Sequence, residues 1–369
     1  MTKLNGTLTG ENLTAAHDQK RREWIGIAMS YTLAIACLVW VFHDYDFSDL
    51  IRRMATVNPL LVAMAIICDV LSFVCQGLRW RLLLRPFGSI SVFRTTQAIY
   101  SGLFINEVLP MKLGELLRAY LISRWTSVKL GSVLTSILIE RLFDGFWLVV
   151  AFVTLVMFVP LPRKLMEAGD AFSALVFILI TILIALRFGK TSLQAFAAGG
   201  QVTDDRNKPM EKAERSPIKL RLARSLVARL DLGAVALRAI LHSPSSLSAF
   251  ALSLLLISLQ WLAFWLVMLA FGLHLSAPAA AAVFVIVHVG TLLPAAPANV
   301  GTYQIVTVLG LTLFGVEKSA AAGFSLVVFV LLSVHTWLLG FWALRRSGLT
   351  LIGMRTELSK SLPILKKDV

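Results

Sequence analysis

Six stretches of this chain are apolar for long enough to cross a lipid bilayer, and no other feature limits its fold as much. They fall at about 24–42, 59–78, 143–160, 171–187, 247–271 and 320–344. A hydrocarbon core about 30 Å thick takes roughly 20 helical residues to span. In lipid, backbone donors and acceptors must find partners within the chain, and a helix does this inside each segment. The expected fold is therefore all-α and integral to the membrane. Composition agrees, since only 15% of residues are charged and 57% are hydrophobic, whereas soluble domains carry about a quarter charged residues. Cys37, Cys68 and Cys75 all sit inside apolar stretches without paired spacing. Neither a disulfide framework nor a metal site is expected from them, and no cofactor. Residues 1–23 are polar and run into the Trp24–Phe42 stretch, after which no small-residue cleavage pattern follows. This reads as a retained helix and not as a removed signal peptide.

Two further segments are apolar but broken. In 92–130 a turn around Leu109-Pro110 is followed by Lys112, Glu115 and Arg118. In 277–315 the interruption carries Pro294, Pro297, Asn299 and Gly301. Proline removes a backbone donor and glycine permits a sharp turn, so each helix should break there. Broken backbone at membrane depth is tolerated only when buried in protein or lining a wet cavity.

Charge then sets an expected topology of about six transmembrane helices plus two re-entrant helical hairpins. With a cytoplasmic N-terminus, 29 of the 35 Lys and Arg fall in cytoplasmic stretches and 5 in external loops, Arg141 lying beside the start of a span. That asymmetry follows the positive-inside rule. It assigns the net charge of +14 to cytoplasmic loops and away from nucleic acid. The expected organisation is a cytoplasmic tail at 1–23, a membrane domain at 24–345 with a basic cytoplasmic loop at about 188–246, and a cytoplasmic tail at 346–369, in a bacterial inner membrane. The second half of that loop mixes apolar and basic residues, which fits either an amphipathic helix on the inner surface or a solvated linker. The two hairpins enter from opposite faces, as in inverted-repeat transporters with a site near the midplane. A slight likeness of Leu109-Pro110…Gly114-Glu115 to Leu293-Pro294…Gly301-Thr302-Tyr303-Gln304 fits such a repeat, and equally fits convergence on residues that turn.

Ionisable groups within apolar helices are costly and mark candidate sites. The densest set is Asn106, Glu107, Pro110, Lys112, Gly114, Glu115 and Arg118. Glu115 and Arg118, three apart, can pair on one helical face. Carboxylates suit an amine and Lys or Arg a phosphate, so the set suits a lipid headgroup with both charges; a hairpin tip in cytoplasmic water would also carry such residues. Glu140 and Asp144 share a face with Arg141 beside them, as the cation expected to relieve their repulsion. A plain ion-pair cluster at the start of a span is the alternative. Asp69 reads as a proton relay or a structural hydrogen-bonding group, and Arg79 is a further intramembrane polar residue. The second hairpin offers Asn299, Thr302, Tyr303 and Gln304, and a helix starting near Gly301 would turn its positive end toward an anion. His288 and His335 lack sequence neighbours that would suggest catalysis and read as packing residues.

On these motifs the chain resembles the lysylphosphatidylglycerol-synthase transmembrane, flippase-like family over roughly residues 25–345. The resemblance rests on Arg79-Trp80 with Leu83-Leu84, on the run from Asn106 to Arg118, on Glu140-Arg141-x-x-Asp144, on Pro294-x-x-Pro297-x-x-x-Gly301-x-x-Gln304, and on Phe314-Gly315-Val316. It implies a lipid-handling membrane domain with two re-entrant elements. The aminoacyl-transferase domain of the family's bifunctional members is not found in the chain. Gln304 stands where the family often has Glu, which removes a charge from the second hairpin.

These readings point to a translocase for a phospholipid or isoprenoid-type lipid, with membrane lipid as its partner. Glu107, Lys112, Glu115 and Arg118 are expected at the headgroup, and Arg141 and Asp144 in a charge network. Two alternatives stand: a non-catalytic partner of a lipid-biosynthetic or glycosyltransferase enzyme, and a membrane-embedded lipid-modifying enzyme. The second needs a nucleophile or metal cluster, and the sequence offers none.

Overall fold

A computed structural model describes residues 29–109 except 30 and 44, then 113–159, 163–188, 235–292 and 297–348. Both tails, most of the basic loop, Pro110, Lys112 and Pro294 lie outside the described residues. Every regular element described is helical. In chain order these are α1 (Tyr31–Phe42), α2 (Phe47–Ala55), α3 (Pro59–Leu84), α4 (Val92–Val108), α5 (Gly114–Trp125), α6 (Leu130–Phe158), α7 (Arg163–Phe188), α8 (235–242), α9 (Ser245–Ala270), α10 (Ala277–Gly290), α11 (Thr302–Thr312) and α12 (Lys318–Arg346).

Four helices are long and apolar enough to cross a membrane: Pro59–Phe87 (α3 with its terminal 3₁₀ turn), α6, α9 and α12. No more than 39% of the most apolar window of any of them is buried, so much of that apolar surface is left uncovered or half-covered by the described residues. In water this would be a liability; in lipid it is the favoured arrangement. Both ends of α12 set a cation against an aromatic ring. Lys318 lies 4.6 Å over the Trp40 ring and Arg346 lies 4.9 Å over the Trp342 ring, pairing cations with the aromatic residues favoured at membrane–water boundaries. This is a multi-pass α-helical membrane protein.

The chain divides into two compact units. Unit 1 takes residues up to 70, then 97–120 and 259 onward; unit 2 takes 71–96 and 121–258. In unit 1, α11 packs on both α10 and α12, and small residues set the approach. A Cβ on Gly310 would lie 3.2 Å from Val283, and one on Gly340 would lie 2.7 Å from the Tyr100 carbonyl oxygen. In unit 2, α6 packs on α7, with Gly169 seated beneath the Phe152 ring. A core of Leu83, Ile139, Leu237, Ile240 and Ala249 joins α3, α6, α8 and α9.

The sequence windows recur as helices with one correction of consequence. The window expected to begin at 143 belongs to α6, which starts at Leu130. Glu140, Arg141 and Asp144 therefore lie mid-helix and not at the start of a span. Ser132, Thr135, Ser136 and the charges lower the hydropathy of the early turns without breaking them. Thr135 and Ser136 donate their hydroxyls to the carbonyls of Gly131 (2.9 Å) and Val133 (2.7 Å) within the helix, a local satisfaction open to Ser and Thr at apolar depth.

Candidate functional site

In unit 2, the carboxylates of Glu140 and Asp144 lie one turn apart on α6, and Arg79 of α3 reaches both. Arg79 Nη1 donates to Asp144 Oδ1, and also to Ser253 Oγ on α9 at 3.0 Å; Nη2 donates to Glu140 Oε1 at 3.4 Å and to Asp144 Oδ2 at 3.3 Å. Arg79 and Glu140 are sealed from solvent, at 1% and 0% exposure, while Asp144 is 26% exposed. Arg141, expected as the neutralising cation, stands half-exposed with its nearest nitrogen 3.8 Å from Asp144. The principal cation is Arg79, because the helical register points Arg141 outward while α3 supplies a guanidinium directly between the two acids. One arginine thus joins three helices. Next to it, Trp80 Nε1 donates to Ser136 Oγ at 2.9 Å.

In unit 1, the first break lies between α4 and α5. Gly102 and Gly114 bring these helices into backbone contact: a Cβ on Gly102 would lie 2.6 Å from the Gly114 carbonyl oxygen, and one on Gly114 would overlap the Gly102 carbonyl. Asn106 Oδ1 accepts from Gly114 N at 2.8 Å, satisfying one of the free donors that open a helix. Arg118 is buried, and its Nε donates to Glu115 Oε2 at 2.8 Å, the i,i+3 pair that the spacing suggests. Glu107 Oε2 accepts from Trp337 Nε1 of α12 at 3.1 Å.

The second break lies between α10 and α11. Ala298 and Asn299 have φ of 55° and 54°, and Gly301 has φ of 84°. A left-handed residue with a Cβ costs about 1–2 kcal/mol, so surrounding structure must hold Ala298 and Asn299 in place. Gly301 is needed twice over, for its φ and because a Cβ there would lie 2.5 Å from the Ala34 carbonyl of α1. Gln304 is buried and its Oε1 accepts from Gly301 N at 2.7 Å, fixing the N-terminus of α11. The buried atoms Asn299 Oδ1 and Thr302 Oγ1 have no hydrogen-bond partner among the described residues, which is uncommon for buried polar groups. Pro297 opens the 3₁₀ turn Pro297–Asn299. Tyr303 sets its ring against Phe329 of α12, centroids 5.5 Å apart.

Both breaks border one cavity of about 580 Å³. Tyr31, Ile35 and Leu38 of α1 form one wall, Phe104 and Glu107 of α4 another, Ala298 and Val300 a third, and Phe329 and Trp337 of α12 the last. Among the described residues its lining is apolar except for Glu107, the Tyr31 hydroxyl, the indole N–H of Trp337 and the backbone.

Sequence reasoning missed two partners. His335, read as a packing residue, has Nε2 at 3.4 Å from Asp69 Oδ2, and both are buried. Trp337, unremarked, holds Glu107. Ionisable groups in apolar helices imply partners of this kind, but nothing in one sequence says where along the chain they lie. Among the described residues no three His, Cys, Asp or Glu side chains converge as a metal site would need.

The sequence of the chain is similar to those of several known proteins. A family model described as "Lysylphosphatidylglycerol synthase TM region" matches residues 24–340. A UPF0104 membrane protein of Methanothermobacter thermautotrophicus is 25% identical over 81% of this chain and 86% of its own length. A UPF0104 membrane protein of Methanocaldococcus jannaschii is 22% identical over 86% of this chain and 93% of its own. The glycosyltransferase AglD of Haloferax volcanii is 28% identical over 32% of this chain and 19% of its own length.

Proposed function

The chain belongs to the lysylphosphatidylglycerol synthase TM family, and from that membership and the cavity geometry we propose that it is a lipid translocase. The observation that carries the proposal is the meeting of both helix breaks on one apolar cavity with the Glu107 carboxylate in its wall. At about 580 Å³ the cavity falls within the usual range of ligand sites. Its walls suit an acyl or prenyl chain, and Glu107 suits a headgroup that donates a hydrogen bond or carries an amine. The Glu115–Arg118 pair at the start of α5 and Lys112 before it supply charge of both signs for a phosphate-bearing headgroup. Interrupted helices are a natural place for such a site, because their freed backbone groups need polar company.

In this reading the two broken segments are re-entrant hairpins among about six spans. Both termini are cytoplasmic, since that orientation puts 29 of the 35 Lys and Arg on the inner side. The membrane is the cell's inner membrane. The protein moves lipid without making or breaking a covalent bond.

The partial likeness to the glycosyltransferase AglD favours one other reading, a membrane partner that serves a glycosyltransferase. Native mass spectrometry of the detergent-extracted chain separates the two. The translocase reading expects one lipid class retained at stoichiometric level and lost in Ile35→Trp, which fills the cavity from a partly exposed wall. Retention of an enzyme subunit, with no lipid displaced by Ile35→Trp, supports the partner reading instead.

A further inference from the structure

Asp69 and His335 form a buried acid–base pair that the cavity does not use. Their facing atoms are 3.4 Å apart, and they are 6% and 7% exposed. The ionisable groups around Asp69 come from every side. Cys68 adjoins it on α3, and His335 faces it from α12. Tyr100 of α4 and Tyr303 of α11 lie within electrostatic reach. The Tyr100 ring meets His335 edge-on at 6.2 Å, and the Thr336 hydroxyl lies 3.5 Å from His335 Nε2. One proton makes the pair neutral whichever atom carries it, and its loss leaves a net negative charge in an apolar interior. Proton occupancy therefore changes the local field by a full charge at a point where charge is expensive.

The same helices connect this pair to the cavity. On α4, Tyr100, Phe104 and Glu107 follow at spacings of four and three and share a face. On α12, His335 and Trp337 are two residues apart, the first holding Asp69 and the second holding Glu107. Gly340 brings α12 into backbone contact with α4 at Tyr100, so a shift of α12 at His335 is also a shift at Trp337.

We propose that Asp69 and His335 bind the proton whose loading and release is coupled to lipid movement through the cavity. The inference rests on the translocase reading and deepens it by naming the coupling ion.

The test has two arms on the full-length protein. The first measures movement of fluorescent phosphatidylglycerol and fluorescent polyprenyl phosphate in phosphatidylethanolamine–phosphatidylglycerol vesicles, with and without a pH gradient. The second follows the carboxylic C=O infrared stretch against pH, which needs no transport. Wild type should show a rate change of up to about tenfold per pH unit, the limit for one coupled proton, and a titrating carboxyl band. Asp69→Asn should lose the band, and both Asp69→Asn and His335→Gln should lose the gradient response. His335→Gln serves alone if Asp69→Asn does not fold. Movement that ignores the gradient in wild type, or persists gradient-driven in both variants, overturns the proton site and leaves the translocase reading intact. If neither lipid moves, the translocase reading fails for these probes and the infrared arm decides the site: a band that titrates in wild type, vanishes in Asp69→Asn and shifts in His335→Gln supports it, and an unchanged band overturns it.

Discussion

Replacing Arg79 by methionine leaves the α3 stem filled and removes the charge that three helices share. Glu140 is fully buried and loses its guanidinium partner. Asp144 is 26% exposed and keeps Arg141 at 3.8 Å, so the penalty concentrates on Glu140. Removing one partner of a buried ion pair costs about 3–5 kcal/mol, much of it from the charge left behind. Arg79→Met should therefore destabilise by about 4 kcal/mol. Glu140→Gln alone leaves Arg79 paired with Asp144 and should cost about 1–2 kcal/mol, the range for a weakened buried hydrogen bond. In the double variant the stranded charge is gone, so the loss should be smaller than that of Arg79→Met by about 2 kcal/mol. Equilibrium unfolding by sodium dodecyl sulfate in mixed micelles, read by circular dichroism, measures all four corners of the cycle. Losses that add within about 0.5 kcal/mol, the tolerance for independent sites, would refute the coupling.

Three further outcomes follow from local geometry. Gly114→Ala drives a methyl into the Gly102 carbonyl and should cost about 1–3 kcal/mol, the usual penalty for overpacking, seen as a lower melting temperature in detergent. Ser136→Ala strips the acceptor from the fully buried Trp80 indole and should cost about 1–3 kcal/mol, with a shift in tryptophan emission. At the exposed start of α2, Asp46 accepts from the Ser48 amide at 2.8 Å and from its hydroxyl at 2.8 Å, and these bonds hold its carboxyl below the ordinary value of 3.8. A depressed acid stabilises above its unfolded value and loses that contribution as pH falls through the folded one. Exchange protection of the first α2 amides, corrected for intrinsic rates, should thus hold near neutrality and decline below the ordinary aspartate range; Asp46→Ala should remove that dependence.

Hydrophobic run length made the helices legible because lipid demands a continuous apolar segment. Windows 59–78 and 320–344 sit inside α3 and α12, and 247–271 overruns the end of α9 by one residue. Pro and Gly made the two breaks legible for an equally local reason. The i,i+3 pair of Glu115 and Arg118 was readable because helical geometry alone sets it. Run length failed at α6, whose early turns bury Ser136 and Glu140 against α3 and so look too polar to lie in a membrane. Arg141 was legible as a cation near Asp144, 3.8 Å away, but the contact of Arg79 with both acids went unread for the same reason that Asp69 and His335 went unmatched. Such partners lie on different helices, and only packing brings Arg79 between Glu140 and Asp144 or Trp337 onto Glu107.

Lipid movement through the cavity is tested most directly by reconstituting the full-length chain in vesicles and timing the loss of protected fluorescent lipid. Wild type should move the lipid, Ile35→Trp should block the path, and Glu107→Gln should slow movement while the fold persists. Equal rates for wild type, both variants and protein-free vesicles would contradict a translocation path at the two helix breaks.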